Sequence, residues 1–212
     1  MFVLNDVKYK NILNIEALHI PANKVTSILG ESGSGKTTLL RLLNKLISCD
    51  TGDIYYDNAL IRNIDSIKLR RDVVMLPQSP AIFSGSIKDN LLIGLKYAEK
   101  PMVTDEKLYE VLRLVHLNKY LTDDADRLSG GEKQRIALGR VILLHPEVLL
   151  LDEPSSSLDE DTEHLIIEAL AHYTVENNKT LIMVTHSKKI AAQFSDYIIE
   201  IKNGKVINQG EV

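Results

Sequence analysis

Gly30-Glu31-Ser32-Gly33-Ser34-Gly35-Lys36-Thr37-Thr38 is the stretch that decides the fold, and it fits the pattern G-x-x-x-x-G-K-[ST] at every fixed position. The apolar run Val25–Leu29 precedes it and Leu39-Leu40-Arg41-Leu42-Leu43 follows, so it reads as strand, loop and helix in that order. Its glycines let the backbone curl with N–H groups pointing inward, and the following helix turns its positive N-terminal end to the same point. A polyphosphate fits there. Gly30, Glu31, Ser32, Gly33, Ser34 and Gly35 form the cradle, Lys36 reaches the β- and γ-phosphates, the Thr37 hydroxyl joins the shell of a Mg²⁺, and Thr38 touches the α-phosphate. A glycine-rich turn that binds nothing would not need the strand before it and the helix after it.

Outward from this loop, the composition sets bounds. The chain has 212 residues, 44% of them hydrophobic, enough for a packed globular core. A net charge of −4 and an isoelectric point near 5.9 give no general nucleic-acid footprint, so no nucleic-acid partner is expected. The single cysteine, Cys49, excludes an intramolecular disulfide and fits a reducing compartment. Met1-Phe2-Val3-Leu4-Asn5-Asp6 has no basic region followed by a long apolar one. Apolar runs stay far below the roughly 20 residues that span a bilayer. The expectation is a cytoplasmic protein whose membrane role, if any, comes through a partner.

Before the loop, Phe2–Val7 and Ile12–Ile20 read as strands, with Pro21-Ala22-Asn23-Lys24 as punctuation. Tyr9 either stacks on a nucleotide base or simply packs in its strand. After it, leucines at helical spacing predict a helix from Lys36 to Ile47, and Ile54-Tyr55-Tyr56 a strand. Val73-Val74-Met75-Leu76 is a further strand, closed by Pro77-Gln78-Ser79-Pro80, which leaves Gln78 on a loop at a strand end. Asp89–Leu121 has helical periodicity broken at Gly94 and Pro101 and predicts an inserted helical subdomain. Leu128-Ser129-Gly130-Gly131-Glu132-Lys133-Gln134-Arg135 opens another helix, with Ser129 as N-cap and Gly130 and Gly131 behind it.

Val148-Leu149-Leu150-Leu151 is continuously apolar, as a strand buried on both faces is, and it ends in Asp152-Glu153. Two carboxylates at such a place are poorly explained by packing, because buried acids cost free energy without partners; a metal and a water explain them. Glu160–Asn177 reads as a helix and Thr180–Thr185 as a buried strand ending at His186, beside the other strand ends where ligands of open α/β sheets gather. Tyr197–Ile207 is a hairpin turning at Asn203-Gly204.

These residues resemble the nucleotide-binding subunits of ATP-binding cassette (ABC) proteins, over nearly the whole chain. In that family's terms Gly30–Thr38 is similar to the Walker A loop, Gln78 to the Q-loop glutamine, Leu128–Arg135 to the signature sequence and Leu149–Glu153 to Walker B. Ser157-Leu158-Asp159 resembles the D-loop and His186 the switch histidine. The signature discriminates best, since few NTPases add Leu-Ser-Gly-Gly before an Asp-Glu strand. Ser79–Leu91 looks like the matching part of exporter cassettes and of short cassettes of bacterial iron exporters, while Asp123-Asp124-Ala125-Asp126-Arg127 lacks the Glu-Arg-Gly element of fused exporters.

The resemblance implies an α/β fold: a P-loop NTPase (RecA-like) core with an antiparallel β subdomain and a helical signature subdomain of roughly residues 79–130, all in one ABC ATPase domain, 1–212. It also implies a homodimer, or a heterodimer with a second cassette, sandwiching two ATP, each held by the Walker A loop of one subunit and Ser129, Gly130 and Gly131 of the other. In the implied reaction Glu153 is the general base, His186 and Gln78 orient the attacking water, Lys36 offsets phosphate charge, and Thr37, Gln78 and Asp152 serve Mg²⁺. The partner would be an integral membrane permease, met on the cytoplasmic face with Phe83 as an anchor. The function implied is the ATP-hydrolysing subunit of a transporter; a soluble ATPase of iron–sulfur cluster assembly type is the alternative.

Overall fold

The computed structural model describes residues 1–212. Five parallel strands and one antiparallel strand make its main sheet. The parallel members are β3 (Val25–Leu29), β6 (Val73–Leu76), β7 (Val148–Asp152), β8 (Thr180–Val184) and β9 (Tyr197–Lys202); β10 (Lys205–Glu211) closes one edge by pairing antiparallel to β9. The order is β10-β9-β3-β8-β7-β6. A second sheet, β2-β1-β4-β5, is antiparallel throughout and is built from β1 (Phe2–Tyr9), β2 (Leu13–Ile20), β4 (Thr51–Tyr56) and β5 (Ala59–Leu60).

The helices are α1 (Lys36–Leu43), α2 (Ser66–Asp72), α3 (Ile87–Tyr97), α4 (Asp105–Leu114), α5 (Gly130–Leu143), α6 (Glu160–Glu176) and α7 (Lys188–Phe194). None is long and apolar enough to cross a membrane.

Two apolar cores flank the main sheet, and period-two alternation divides β3, β6, β7 and β8 between them. On β7, Leu149 and Leu151 join α3–α7 in one core, while Val148 and Leu150 join α1 and the antiparallel sheet in the other. That is why β7 reads as unbroken hydrophobic sequence: neither face meets water. Because β6, β7, β8 and β3 are parallel neighbours, with Leu76 beside Leu151, Asp152 beside Val184 and Val184 beside Ile28, their carboxyl ends share one edge.

Several boundaries differ from the sequence reading. α1 stops at Leu43 rather than Ile47, because Lys45 turns left-handed (φ +56°) and the Leu46 N–H reaches back to the Arg41 carbonyl at 2.9 Å. The same closure, with Glu99 and His116 left-handed, ends α3 at Tyr97 and α4 at Leu114, so the Asp89–Leu121 periodicity resolves into two helices with a break at residues 98–104. These are Schellman ends without the expected glycine, and a non-glycine residue there costs roughly 1–2 kcal/mol. α5 joins α3 and α4 in one core through Ile136, Ala137, Leu138, Val141, Ile142 and Leu143.

Candidate functional site: a nucleotide cradle at the carboxyl edge

The loop between β3 and α1 is closed from behind and open in front. A Cβ on Gly30 would lie 2.2 Å from the Ile201 carbonyl oxygen and one on Gly35 2.6 Å from Leu13 Cδ2, so neither position accepts a side chain. Gly33, with φ +78°, meets nothing within 4 Å and marks the open side. Glu31 and Ser32 are exposed on the rim, and Ser34 is buried. No side chain caps α1, whose N-cap residue is Gly35, so its first N–H groups face the loop without a protein acceptor. A cleft of about 360 Å³ opens beside Gly30 and Glu31, with His186, Lys188 and Lys202 on its walls.

Lys36 is 5% exposed, and its ammonium donates to the Gly30 and Glu31 carbonyls, both at 2.8 Å. Burial lowers its pKa below the ordinary lysine value, against the pull of the Glu153 and Asp152 charges. Thr37 and Thr38 follow on the first turn of α1, and the Thr37 hydroxyl donates to Asp152 Oδ1 at 2.9 Å. Asp152, 3% exposed, has its carboxyl pushed up by burial, with the Thr37 hydroxyl pulling it down. An ionised carboxylate so desolvated, beside a hydroxyl and without an ion pair, is suited to a hard cation.

Glu153 sits one residue past the strand with φ +51°, a conformation that costs a non-glycine residue roughly 1 kcal/mol, and its N–H donates to the Val184 carbonyl at 3.2 Å. That backbone turn aims its side chain along the sheet edge. There Gln78 Nε2 donates to Glu153 Oε2 at 2.6 Å, and His186 Nε2 lies 2.8 Å from Oε1. Loops after β6, β7 and β8 thus meet at one carboxylate, beside the loop after β3.

The signature residues stand apart. Ser129 caps α5 by accepting the Glu132 N–H at 3.3 Å, while Glu132 accepts the Ser129 N–H at 2.9 Å and pairs with Lys119 at 3.0 Å. Ser129 and Gly130 are exposed, and a Cβ on Gly131 would press on Ser157 and Leu158 at 3.0 Å. No hydrogen bond joins Ser129, Gly130 or Gly131 to the cradle. Tyr9, half-buried, packs at the end of β1, with the Lys10 ammonium 5.3 Å from its ring centre.

The sequence reading missed Asn90 and Arg140. Asn90 is fully buried and bonds both the N–H and the carbonyl of Phe83, at 2.9 and 2.7 Å. The Arg140 guanidinium bonds the Asn90 and Ala81 carbonyls and covers the Phe83 ring at 5.2 Å, leaving Phe83 40% exposed. Together they fix the loop after Gln78. A buried asparagine in an otherwise ordinary helix carries no local sequence signal.

With this geometry in view, the chain matches the ABC transporter family over residues 13–156. It is 38% identical to Protein STAR1 of Oryza sativa subsp. japonica over 96% of this chain and 59% of that protein. It is 32% identical to an uncharacterized ABC transporter ATP-binding protein of Methanocaldococcus jannaschii, over 96% of this chain and 81% of that one. Among solved structures, the dimeric ATP-binding cassette MJ0796, in a post-hydrolysis state bound to ADP and Pi, superposes with a TM-score of 0.88 at 29% identity, covering 100% of this chain and 98% of that one. The transporter family and the archaeal relative's name do not favour an iron–sulfur assembly ATPase. Phosphate cradle, paired strand-end carboxylates and capped signature helix, together with these likenesses, place the chain in the ABC transporter family as an ATP-binding, ATP-hydrolysing cassette.

Proposed function

We propose that residues 1–212 work as one ABC ATPase domain that drives a substrate across a membrane through ATP-dependent dimerisation. The observation that carries this reading is Glu153, held between Gln78 and His186 next to the Thr37–Asp152 pair and the phosphate loop. A water attacks the γ-phosphorus in line, Glu153 takes its proton, and the bond to the bridging oxygen of ADP breaks. His186 and Gln78 hold the carboxylate in place and orient the water. Lys36, with the N–H groups of the loop and of α1, offsets the charge on the phosphate oxygens.

Thr37 and Asp152 are adjacent oxygen donors that fit Mg²⁺, and together with Gln78 they would hold it. The ion supplies charge neutralisation at the β- and γ-phosphates.

Ser129, Gly130 and Gly131 serve the partner's nucleotide, in a homodimer or a heterodimer with a second cassette. The separation of cradle and signature within one chain supports this, as does the dimeric state of MJ0796. Tyr9 stacks on the base from the end of β1. The partner in transport is an integral membrane permease, engaged on the cytoplasmic face through the loop that presents Phe83.

The test is Glu153→Gln. Turnover should fall by about 100-fold or more with the affinity for ATP retained. Size-exclusion chromatography in Mg-ATP should then show accumulated dimers. A variant that stays monomeric and turns over at the wild-type rate would remove both the base and the dimer reading.

A further inference from the structure

We infer that Gly204, in the turn between β9 and β10, is a positioning residue for nucleotide binding, acting by aiming the Gly35 N–H at the phosphates. The inference rests on Gly30–Thr38 being the nucleotide site and adds a distant backbone group to it. The Gly204 N–H donates to the Ser34 carbonyl at 3.1 Å, and the Gly204 carbonyl accepts the Asn14 N–H at 2.8 Å. The residue is locked in place: φ is +74°, and a Cβ would stand 2.2 Å from the Ile12 carbonyl oxygen.

A trans peptide fixes its C=O and N–H in opposite directions. With the Ser34 carbonyl held outward by Gly204, the Gly35 N–H must point inward to the cradle, and it donates to no protein acceptor. Without that bond, the Ser34–Gly35 peptide is the part of the loop best able to turn over, because Gly35 (φ +104°) has the glycine freedom a peptide flip requires. The flipped peptide would aim a carbonyl oxygen at the phosphate, replacing attraction by repulsion. The turn between β1 and β2 and the start of β2 back the same site, through the Ile12 carbonyl and the Leu13 side chain against Gly35.

The seam between β2 and β10 supplies an internal control. At its other end Gln209 receives the His19 N–H at 3.2 Å and donates to the Ala17 carbonyl at 3.4 Å, without touching the phosphate loop. If Gly204 only joins two sheets, Gln209 should matter to nucleotide binding just as much.

The experiment replaces the Gly204 amide by its ester analogue, with glycolate at that position, which deletes the N–H and adds no bulk. Gly204→Ala is made alongside, and Gln209→Ala is the control. Binding of ATP and ADP is titrated with the folded proteins, thermal melting is followed in the absence of nucleotide, and kcat and KM are measured. The expected result is that the ester raises the Kd for both nucleotides and KM by about tenfold with kcat largely kept, the loss of one bond made to a charged group. Gln209→Ala should lower the melting temperature and leave both Kd values unchanged. An ester that melts lower but binds as wild type, or a Gln209→Ala that weakens binding to the same degree, overturns the inference. A wild-type protein that binds neither nucleotide would instead remove the reading of Gly30–Thr38 on which it rests.

Discussion

Two helices of this protein start beside glycines, and their N-termini are built differently. α1 starts at Lys36 behind its N-cap Gly35, with no side-chain cap, a buried lysine in its first turn, and a loop pressed from behind by β9 and the β1–β2 turn. α5 starts at Gly130 behind an exposed N-cap, Ser129, whose capping box with Glu132, extended by Lys119, engages the Ser129 and Glu132 N–H groups and leaves those of Gly130 and Gly131 without a protein acceptor. Both ends carry the positive pole of a helix. Both leave N–H donors free, but only at α1 does one chain surround them with rigid walls and a buried lysine, so only α1 is ready to hold an anion within one chain. On the proposed dimer reading, the signature end is capped for folding by its own chain and meets the partner's nucleotide.

The sharpest way to break this contrast is to damage each end in a different subunit. Lys36→Ala and Ser129→Arg should each lower turnover by about 100-fold or more. Mixed, they should regain activity, since a mixed dimer joins the intact cradle of one subunit to the intact signature of the other. If verified mixed dimers never exceed the summed separate rates, each chain holds a complete site and the contrast fails.

A smaller effect separates the caps. Glu132→Ala should cost about 1 kcal/mol of stability by opening the capping box, read as a lower melting temperature. The Ser129 N–H, then Lys119, hold the Glu132 carboxyl below its ordinary 4.5. A depressed native pKa means that the stabilisation is complete above 4.5 and fades as pH falls through the lower native value. The gap between wild type and variant should therefore close in acid; a gap that persists there would assign it to packing rather than to the charge.

The smallest expected effect has the opposite sign. Asp152→Asn should abolish turnover yet raise the stability of the nucleotide-free protein by roughly 0.5 kcal/mol at neutral pH. Burial raises the Asp152 pKa above 3.8, so the unfolded chain binds fewer protons and native stability falls as pH rises from that value. The gain should vanish below pH 3.8, where both states are protonated. A variant that melts lower at neutral pH would show that the carboxylate is compensated within the chain and carries no cost awaiting a cation.

Phosphate loop, the Ser129 N-cap and the buried strands were legible in the sequence because each is settled within a few residues. A glycine-rich loop between an apolar run and a leucine-spaced helix, a serine ahead of two glycines, and an unbroken apolar run each impose their own local geometry. Helix ends were less legible. The residues that turn left-handed after α1, α3 and α4 are Lys45, Glu99 and His116, none of them a local stop signal; burial of the flanking leucines decides where those helices end.

What the sequence by itself determined is therefore the chemistry available: a cradle, two strand-end carboxylates, a glutamine, a histidine and a second glycine-led helix. Only the tertiary structure decided which of them meet. Parallel pairing in the order β3-β8-β7-β6 brings Gln78 and His186 to Glu153, 75 and 33 residues away, and leaves Ser129 apart from the loop of its own chain. Sheet order is fixed by burying two faces at once, a condition summed over the whole core, and no spacing within one motif encodes it.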